Sequence, residues 1–244
     1  MPKSKRSKVV HLTQTKKKTK DWKEGLVTKV RDAAEKYPSC YLFKHFNMRT
    51  EPFKQLREEL HESTTIIMGS CKVMQVALGR SESDEVRTDI HKLSERLKGY
   101  VGLFFTTLSR EEVEKVVSEF KHEDFARAGA KCLSTFALPE GPLDDINGVP
   151  LQHTMEPQLR KLGMPTKLNK GVVELAGDFT VCKEGRILDA NQAAILKVFG
   201  IKMAVLRLKL LAAWTEDAFE ELADGDDDDE EDGEEEDEEM LVNI

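Results

Sequence analysis

The residues whose types and spacing could do chemistry lie in the stretch Thr64–Arg80. An apolar run breaks at Gly69 and continues with apolar residues at helical spacing, which predicts a strand, a tight turn and a helix. Lys72 and Gln75 lie together on another side of that helix, and Arg80 follows it. Because helix N-termini offer free amide donors and partial positive charge, an anion could bridge the amides and the lysine. The pattern indicates contact with a phosphate backbone, with a solvated lysine on an ordinary helix face as the alternative.

A second polar group follows the near-continuous apolar run Cys40–Phe43, which predicts a strand covered on both faces. Lys44, Asn47 and Arg49 leave this run, and in open α/β sheets ligands gather beyond the carboxyl ends of strands. We therefore expect these three side chains to share an edge with the glycine turn and to bind RNA. Phe46, among these cations, could stack on a base, but we favour a core position for it.

The sequence predicts no catalytic group, metal or cofactor. Gly69-Ser70-Cys71 could suggest a nucleophile, but the Gly-x-Ser-x-Gly pattern is not satisfied and no histidine with an orienting acid is recognisable. The six histidines show no ligand spacing, and the four cysteines stand too far apart for a zinc ribbon or a redox pair. Cysteines without paired spacing fit a reducing compartment, and Cys40 and Cys182 are typical of small buried hydrophobes.

The chemistry-bearing residues must be positioned by strands that alternate with helices, which indicates a compact α/β unit. Helices are predicted from the apolar spacing within 22–37, 53–60, 71–78, 86–97, 110–120, 155–162 and 190–199, and strands over 40–46, 64–68, 100–106, 172–175, 179–182 and 203–211. Ser109-Arg110-Glu111-Glu112 has the pattern of a capping box. No apolar segment approaches the roughly 20 residues of a membrane-spanning helix.

Charge and residue composition divide the chain into five consecutive segments. Residues 1–20 form a basic arm with eight lysines and arginines and no acid, which we expect to be disordered and to serve nuclear import, RNA contact or both. Residues 21–121 and 189–215 would form a discontinuous α/β domain, interrupted by a β-rich subdomain over 122–188. Residues 216–244 form an acidic tail with 18 acids and no base. The tail could solvate the protein, compete with RNA for its basic face, or attract basic partners.

The overall negative charge hides a basic body. The chain has a formal net charge of −8, but residues 1–215 hold all 37 lysines and arginines against 27 of the 45 acids, a net charge of +10. A basic body beside a separate acidic tail is typical of a protein that binds polyanions.

Four segments resemble the ribosomal stalk-base family (L10-type, acidic P-zero), in the same order along the chain: 67–74, 99–106, 126–130 and 162–171. The resemblance runs from about Trp22 to Leu211. It implies an α/β (α+β) RNA-binding domain that holds ribosomal RNA at the GTPase-associated centre, interrupted by an inserted subdomain. Where that family commonly has Gly-Lys-Asn at the turn, this chain has Gly69-Ser70-Cys71, so only Lys72 and Arg80 carry over as RNA contacts.

The resemblance also implies a role. Stalk proteins continue into helices that bind small acidic dimers, and this pattern is missing after Trp214. We therefore expect a nucleolar and nuclear assembly factor, shuttling to the cytoplasm, that occupies the stalk site on precursor large ribosomal subunits until the stalk protein replaces it. Expected partners are large-subunit ribosomal RNA, the precursor particle and neighbouring ribosomal proteins and assembly factors, with the chain monomeric on the particle and no membrane contact. The alternatives are a permanent ribosomal protein and, more remotely, an RNA-processing enzyme.

Overall fold

The computed structural model describes residues 20–144, 146, 148–215 and 218–222, so the predicted basic arm before Lys20 and most of the acidic tail lie outside the described residues. Its helices are α1 (Lys20–Lys36), α2 (Thr50–Glu59), α3 (Cys71–Leu78), α4 (Ile90–Glu95), α5 (Arg110–Glu119), α6 (Glu156–Lys161) and α7 (Ala190–Val198). Its strands are β1 (Ser39–Phe46), β2 (Thr64–Ile67), β3 (Val101–Thr106), β4 (Lys121–Asp124), β5 (Phe136–Leu138), β6 (Gly141–Pro142), β7 (Thr166–Asn169), β8 (Val172–Leu175), β9 (Phe179–Cys182), β10 (Ala204–Thr215) and β11 (Phe219–Glu221).

One antiparallel sheet organises the first part of the fold. Its strand order is β11-β10-β1-β3-β2, and β4 pairs with the beginning of β10. Both β1 and β2 are antiparallel to β3, so they run in the same direction and end at the same edge. The shared edge predicted for the two polar groups is present, and the sheet that forms it is antiparallel.

Alternation along β1 separates two helical layers. Cys40 and Leu42 pack into one core with residues of α1, α3 and α4, whereas Tyr41 and Phe43 pack into a second core with residues of α2 and α5. Successive side chains of a strand point to opposite faces, so a strand covered on both sides has a continuous apolar run. This confirms the prediction that β1 is covered on both faces.

The inserted subdomain has its own hydrophobic core. The residues at which this subdomain begins and ends differ from the predicted ones. Strand β4 pairs with β10 and so belongs to the first sheet, although the prediction began the insertion at residue 122. Ile195, Leu196 and Phe199 are buried with residues of the insertion, so α7 packs there, whereas the sequence assigned 189–215 to the first domain. Apolar periodicity indicates that a helix has a buried face but not which neighbour covers it.

Two further elements differ from the prediction. The helix expected over 86–97 is limited to α4, because Asp89 has a positive φ of 64° that a helix cannot continue through. Strand β11 lies inside the segment predicted as an acidic tail, where Phe219 is opposite Trp214 on β10. Among the residues that the structure describes, no helix has the length and apolar character to cross a bilayer.

Candidate nucleic-acid interface

The residues Met68, Gly69 and Ser70 connect β2 to α3, as the sequence predicts, and α1 packs closely against Gly69. A Cβ atom at Gly69 would lie 2.5 Å from Leu26 Cδ2, so a larger residue would force the Leu26 side chain to move. Helix α3 then starts at Cys71, and the Cys71 thiol donates a hydrogen bond to the Gly99 carbonyl oxygen at 3.3 Å. The first turn of α3 is thereby held next to the start of β3, with Lys72 exposed.

Only two of the three candidate residues around α3 present their polar groups to solvent. Lys72 is exposed in the first turn of α3, and Arg80 is exposed just beyond its end. Gln75 is half-buried, and its Nε2 donates a hydrogen bond to the Leu97 carbonyl oxygen at 3.1 Å. The Gln75 side chain thus fastens α3 to the segment before β3.

Lys44 is buried and does not form the exposed contact that the sequence suggested. Its exposed fraction is 8 %, and its Nζ lies 5.4 Å from the centre of the Phe46 ring. The Arg207 guanidinium lies 4.6 Å from the same ring. Phe46 itself is buried, as we favoured, and its ring lies close to two cations, the buried Lys44 and the half-buried Arg207.

Asn47 and Arg49 hold the junction between the sheet and the insertion. Asn47 has a φ of 51°, and its Nδ2 donates to the Val205 carbonyl oxygen at 3.3 Å. Arg49 Nε lies 2.6 Å from Asp124 Oδ2, and its Nη2 donates to the Phe125 carbonyl oxygen at 2.5 Å. The polar atoms of these side chains therefore bind the protein itself.

The turn and the end of β1 are nonetheless neighbours. Lys44 is opposite Val101 on β3, and Ile67 is opposite Leu103, so Gly69 comes level with Val101. Two strand spacings place Lys44 and Gly69 about 10 Å apart. The structure thus brings the two predicted groups together, but among their cations it leaves only Lys72 and Arg80 exposed, while the half-buried Asn47 lines a groove on the other side of β1.

A cationic groove that the sequence analysis missed runs along the outer strand β2. This edge groove has a volume of about 620 Å³ and lies between α1 and β2. Its lining residues include Trp22, three cations and one acid: Lys29, Lys36, Arg57 and Asp32. Met68, which precedes the glycine turn, lines the same groove. The seven-residue spacing of Lys29 and Lys36 places them on one face of α1, which the sequence could have indicated, but Arg57 comes from α2 on the other layer.

A second cationic groove lies between the sheet and the insertion. This junction groove has a volume of about 340 Å³, and Lys121, Lys131 and Arg207 contribute its charge. None of its lining residues is an acid. Arg207 and Lys121 are opposite each other on β10 and β4, while Lys131 comes from the insertion. No local sequence pattern joins these three positions.

The thiols are suited to packing rather than to chemistry. Burial raises the pKa of the Cys40 and Cys71 thiols, and burial is also the main reason that the pKa of Cys182 rises to about 11. A thiol is a poor nucleophile when protonated, so these side chains are unreactive at neutral pH. Within the described ranges, no group of three or more histidine, cysteine or acidic side chains could hold a metal ion.

Comparison with known proteins identifies the class to which this fold belongs. A family model described as ribosomal protein L10 matches residues 18–122, and a model of the insertion domain found in the L10-type protein of the 60S ribosomal subunit matches residues 126–201. The chain is 26 % identical over 196 residues to the large ribosomal subunit protein uL10 of Thermococcus onnurineus, which covers 80 % of this chain and 56 % of that protein. The domain and its insertion are therefore those of the ribosomal L10 class.

Relatives with higher sequence identity show to which branch of this class the chain belongs. The chain is 41 % identical over 228 residues to ribosome assembly factor mrt4 of Neurospora crassa, covering 88 % of this chain and 90 % of the relative. It is 34 % identical to ribosome assembly factor MRT4 of Saccharomyces cerevisiae, covering 89 % and 95 %. The chain belongs to the mrt4 family of ribosome assembly factors, a paralogous branch of the ribosomal L10 proteins. Its role is in ribosome biogenesis, as the resemblance implied, and its family is not one of enzymes.

Proposed function

We propose that the chain binds ribosomal RNA at the stalk-base site of precursor large subunits and holds that site until the stalk protein replaces it. The observation that carries the proposal is that ribosome assembly factors and a ribosomal protein are both similar in sequence to this chain. Proteins named ribosome assembly factor mrt4 and proteins named large ribosomal subunit protein uL10 both match this chain across the domain and its insertion. Surfaces built on the same fold can compete for one RNA site.

The RNA-binding surface would consist of the exposed cations of α3 and the edge groove. Lys72 and Arg80 would neutralise phosphates, and the edge groove continues from the glycine turn with Lys29, Lys36 and Arg57. Phosphate neutralisation supplies much of the affinity of RNA-binding proteins, and it weakens as salt rises. Trp22, an exposed aromatic side chain in the same groove, could stack on an unpaired base.

The mechanism would be mutual exclusion. While this chain occupies the RNA, the stalk protein cannot dock, and release of the chain opens the site. Identity to the assembly factors, at 34–41 %, exceeds the 26 % identity to uL10, which favours an assembly role over a permanent place in the ribosome. The chain would act as a monomer in the nucleolus and nucleus, with shuttling to the cytoplasm, in contact with neighbouring ribosomal proteins and assembly factors.

The first test measures binding of the full chain to an RNA fragment of the stalk-base site over a salt titration. The double variant Lys72→Glu/Arg80→Glu should bind more weakly, and the slope of log affinity against log salt should fall by about 2, because two phosphate contacts are lost. Lys115→Glu/Lys167→Glu changes the charge equally on exposed side chains of α5 and β7 and should bind as the unchanged protein does. Equal loss in both variants would show that net charge, and not this surface, determines binding.

The second test addresses exclusion directly. The RNA fragment is saturated with this chain, and purified stalk protein is added while the two proteins are followed separately by size-exclusion chromatography. The proposal expects one protein per RNA at any time. A ternary complex, or stable presence of this chain on translating ribosomes, would contradict the placeholder role.

A further inference from the structure

We propose that the junction groove is a binding site for the chain's own acidic segment, residues 224–239. This inference goes beyond the proposed RNA-binding role, because it concerns a different groove and a peptide of opposite charge. Of these 16 residues, 14 are aspartate or glutamate. These residues lie outside the described part of the chain, and the proposal rests on the described residues that precede them and on the charge of the groove.

Strand β11, which precedes the segment in the sequence, lies at the edge of the sheet. Phe219 and Glu221 are opposite Trp214 and Ala212 of β10, and Leu222 N donates to the Leu211 carbonyl oxygen at 2.9 Å. Arg110 Nη1 lies 2.6 Å from Glu220 Oε2, and Arg96 forms an ion pair with Glu221. The last described residue, Leu222, is therefore hydrogen-bonded to β10.

The direction of β11 leads towards the junction groove. Because β11 is antiparallel to β10, it runs towards the beginning of β10, where Lys209 and then Arg207 lie. The next strand on that side is β4, whose Lys121 is opposite Arg207. The gap along β10 from Leu211 to Arg207 is four residues, or about 13 Å. The four residues that follow Leu222 in the sequence include the first acids of the segment, and four residues of extended chain are long enough to cover this distance.

The charge of the junction groove is complementary to that of the acidic segment. The junction groove contains three cations and no acid among its lining residues, and Lys209 extends the positive strip along β10. A run of carboxylates tethered next to this strip has a high effective concentration there, so even weak ion pairs would keep it bound at low salt. The bound segment would neutralise the junction groove and leave α3 and the edge groove as the positive surface of the molecule.

The test is zero-length carbodiimide cross-linking of the full chain, which joins lysines only to carboxylates in contact with them. Mass spectrometry should find residues 224–239 linked to Lys121 and Lys131 with at least about fivefold the yield at Lys54 and Lys167, as about 1 kcal/mol of preference gives. Lys54 and Lys167 are exposed on α2 and β7 and serve as matched controls. The preference should vanish at about 0.5 M salt, where screening acts over a few ångströms.

A second experiment uses a double variant in which two lysines of the junction groove are replaced by glutamate. In Lys121→Glu/Lys131→Glu, checked for folding by circular dichroism, the links at Lys209 should be lost, whereas Lys54→Glu/Lys167→Glu should retain them. Even yields at all exposed lysines would overturn the proposal. It would also be overturned if a polyuridine 20-mer cross-linked to Lys121 and Lys131 under ultraviolet light while the acidic segment gave no carbodiimide links to these lysines, since RNA would then be the occupant. None of these results depends on whether α3 binds ribosomal RNA.

Discussion

Arg49 Nε lies 2.6 Å from Asp124 Oδ2, and this ion pair joins the loop after β1 to the strand that leads into the insertion. Both side chains are only 27 % exposed, and the same guanidinium also binds the Phe125 carbonyl oxygen. The partly buried pair sets the position at which the inserted subdomain leaves the sheet.

Replacing Arg49 should therefore cost more stability than replacing a surface arginine. We expect Arg49→Ala to lower the free energy of unfolding by about 2 kcal/mol, because a charged hydrogen bond is lost and Asp124 is left without its partner. Urea unfolding followed by circular dichroism measures the change. Arg110→Ala removes two ion pairs, to Glu114 and Glu220, whose side chains are about half exposed, and it should cost less stability than Arg49→Ala does. Equal costs would show that the junction pair has no special role.

Gly102 is a position where the sheet has no room for a side chain. A Cβ atom there would lie 2.5 Å from Phe43 Cζ and 3.0 Å from Met68 Cγ, and Phe43 is itself buried and cannot move aside. We expect Gly102→Ala to destabilise the fold by about 1–3 kcal/mol through overpacking. Gly177→Ala meets no atom within 4 Å and should change the midpoint of thermal unfolding little. A stable Gly102→Ala protein would show that the two layers repack readily.

Substitution by glutamate should change the free energy of unfolding differently at Lys44 and at Lys72. Lys44→Glu places a carboxylate at a buried position and should lower the free energy of unfolding by more than about 2 kcal/mol. Lys72→Glu places a carboxylate in the exposed first turn of α3, where the helix dipole favours it, and should be neutral or stabilising by about 0.5 kcal/mol. Chemical denaturation of both variants in low salt tests the contrast. Marked destabilisation by Lys72→Glu would mean that this lysine has a structural partner.

The buried thiol of Cys40 should make the fold sensitive to alkali. Burial raises the pKa of Cys40 in the folded protein, so the unfolded chain releases that proton at lower pH than the folded one. The stability present below the ordinary thiol pKa is then lost as pH rises above it, by about 1.4 kcal/mol per pH unit. The free energy of unfolding of Cys40→Ala, measured from pH 8 to 10, should fall less steeply than that of the unchanged chain. Parallel pH curves would contradict the assigned cause.

Local patterns were enough to predict most elements near the candidate site. The strand, turn and helix around Gly69 follow from apolar spacing, and the capping box at Ser109 closes as its residues indicate, with the Ser109 side chain accepting from Glu112 N. Strand β11 was missed because its residues are mostly acidic and gain their place only by pairing with β10.

The sequence by itself determined the class of the molecule: a basic body with a predicted insertion, a glycine turn followed by a cationic helix, and an acidic segment. These features depend on residue type and short-range spacing, which the chain carries before it folds. Tertiary structure alone decided which cations remain accessible. Lys44 is buried and Arg49 is bound to Asp124, whereas the pairing of β4 with β10 brings Arg207 from a distant part of the chain to Lys121 and Lys131. Accessibility depends on which neighbour covers a side chain, and that neighbour is chosen by long-range packing.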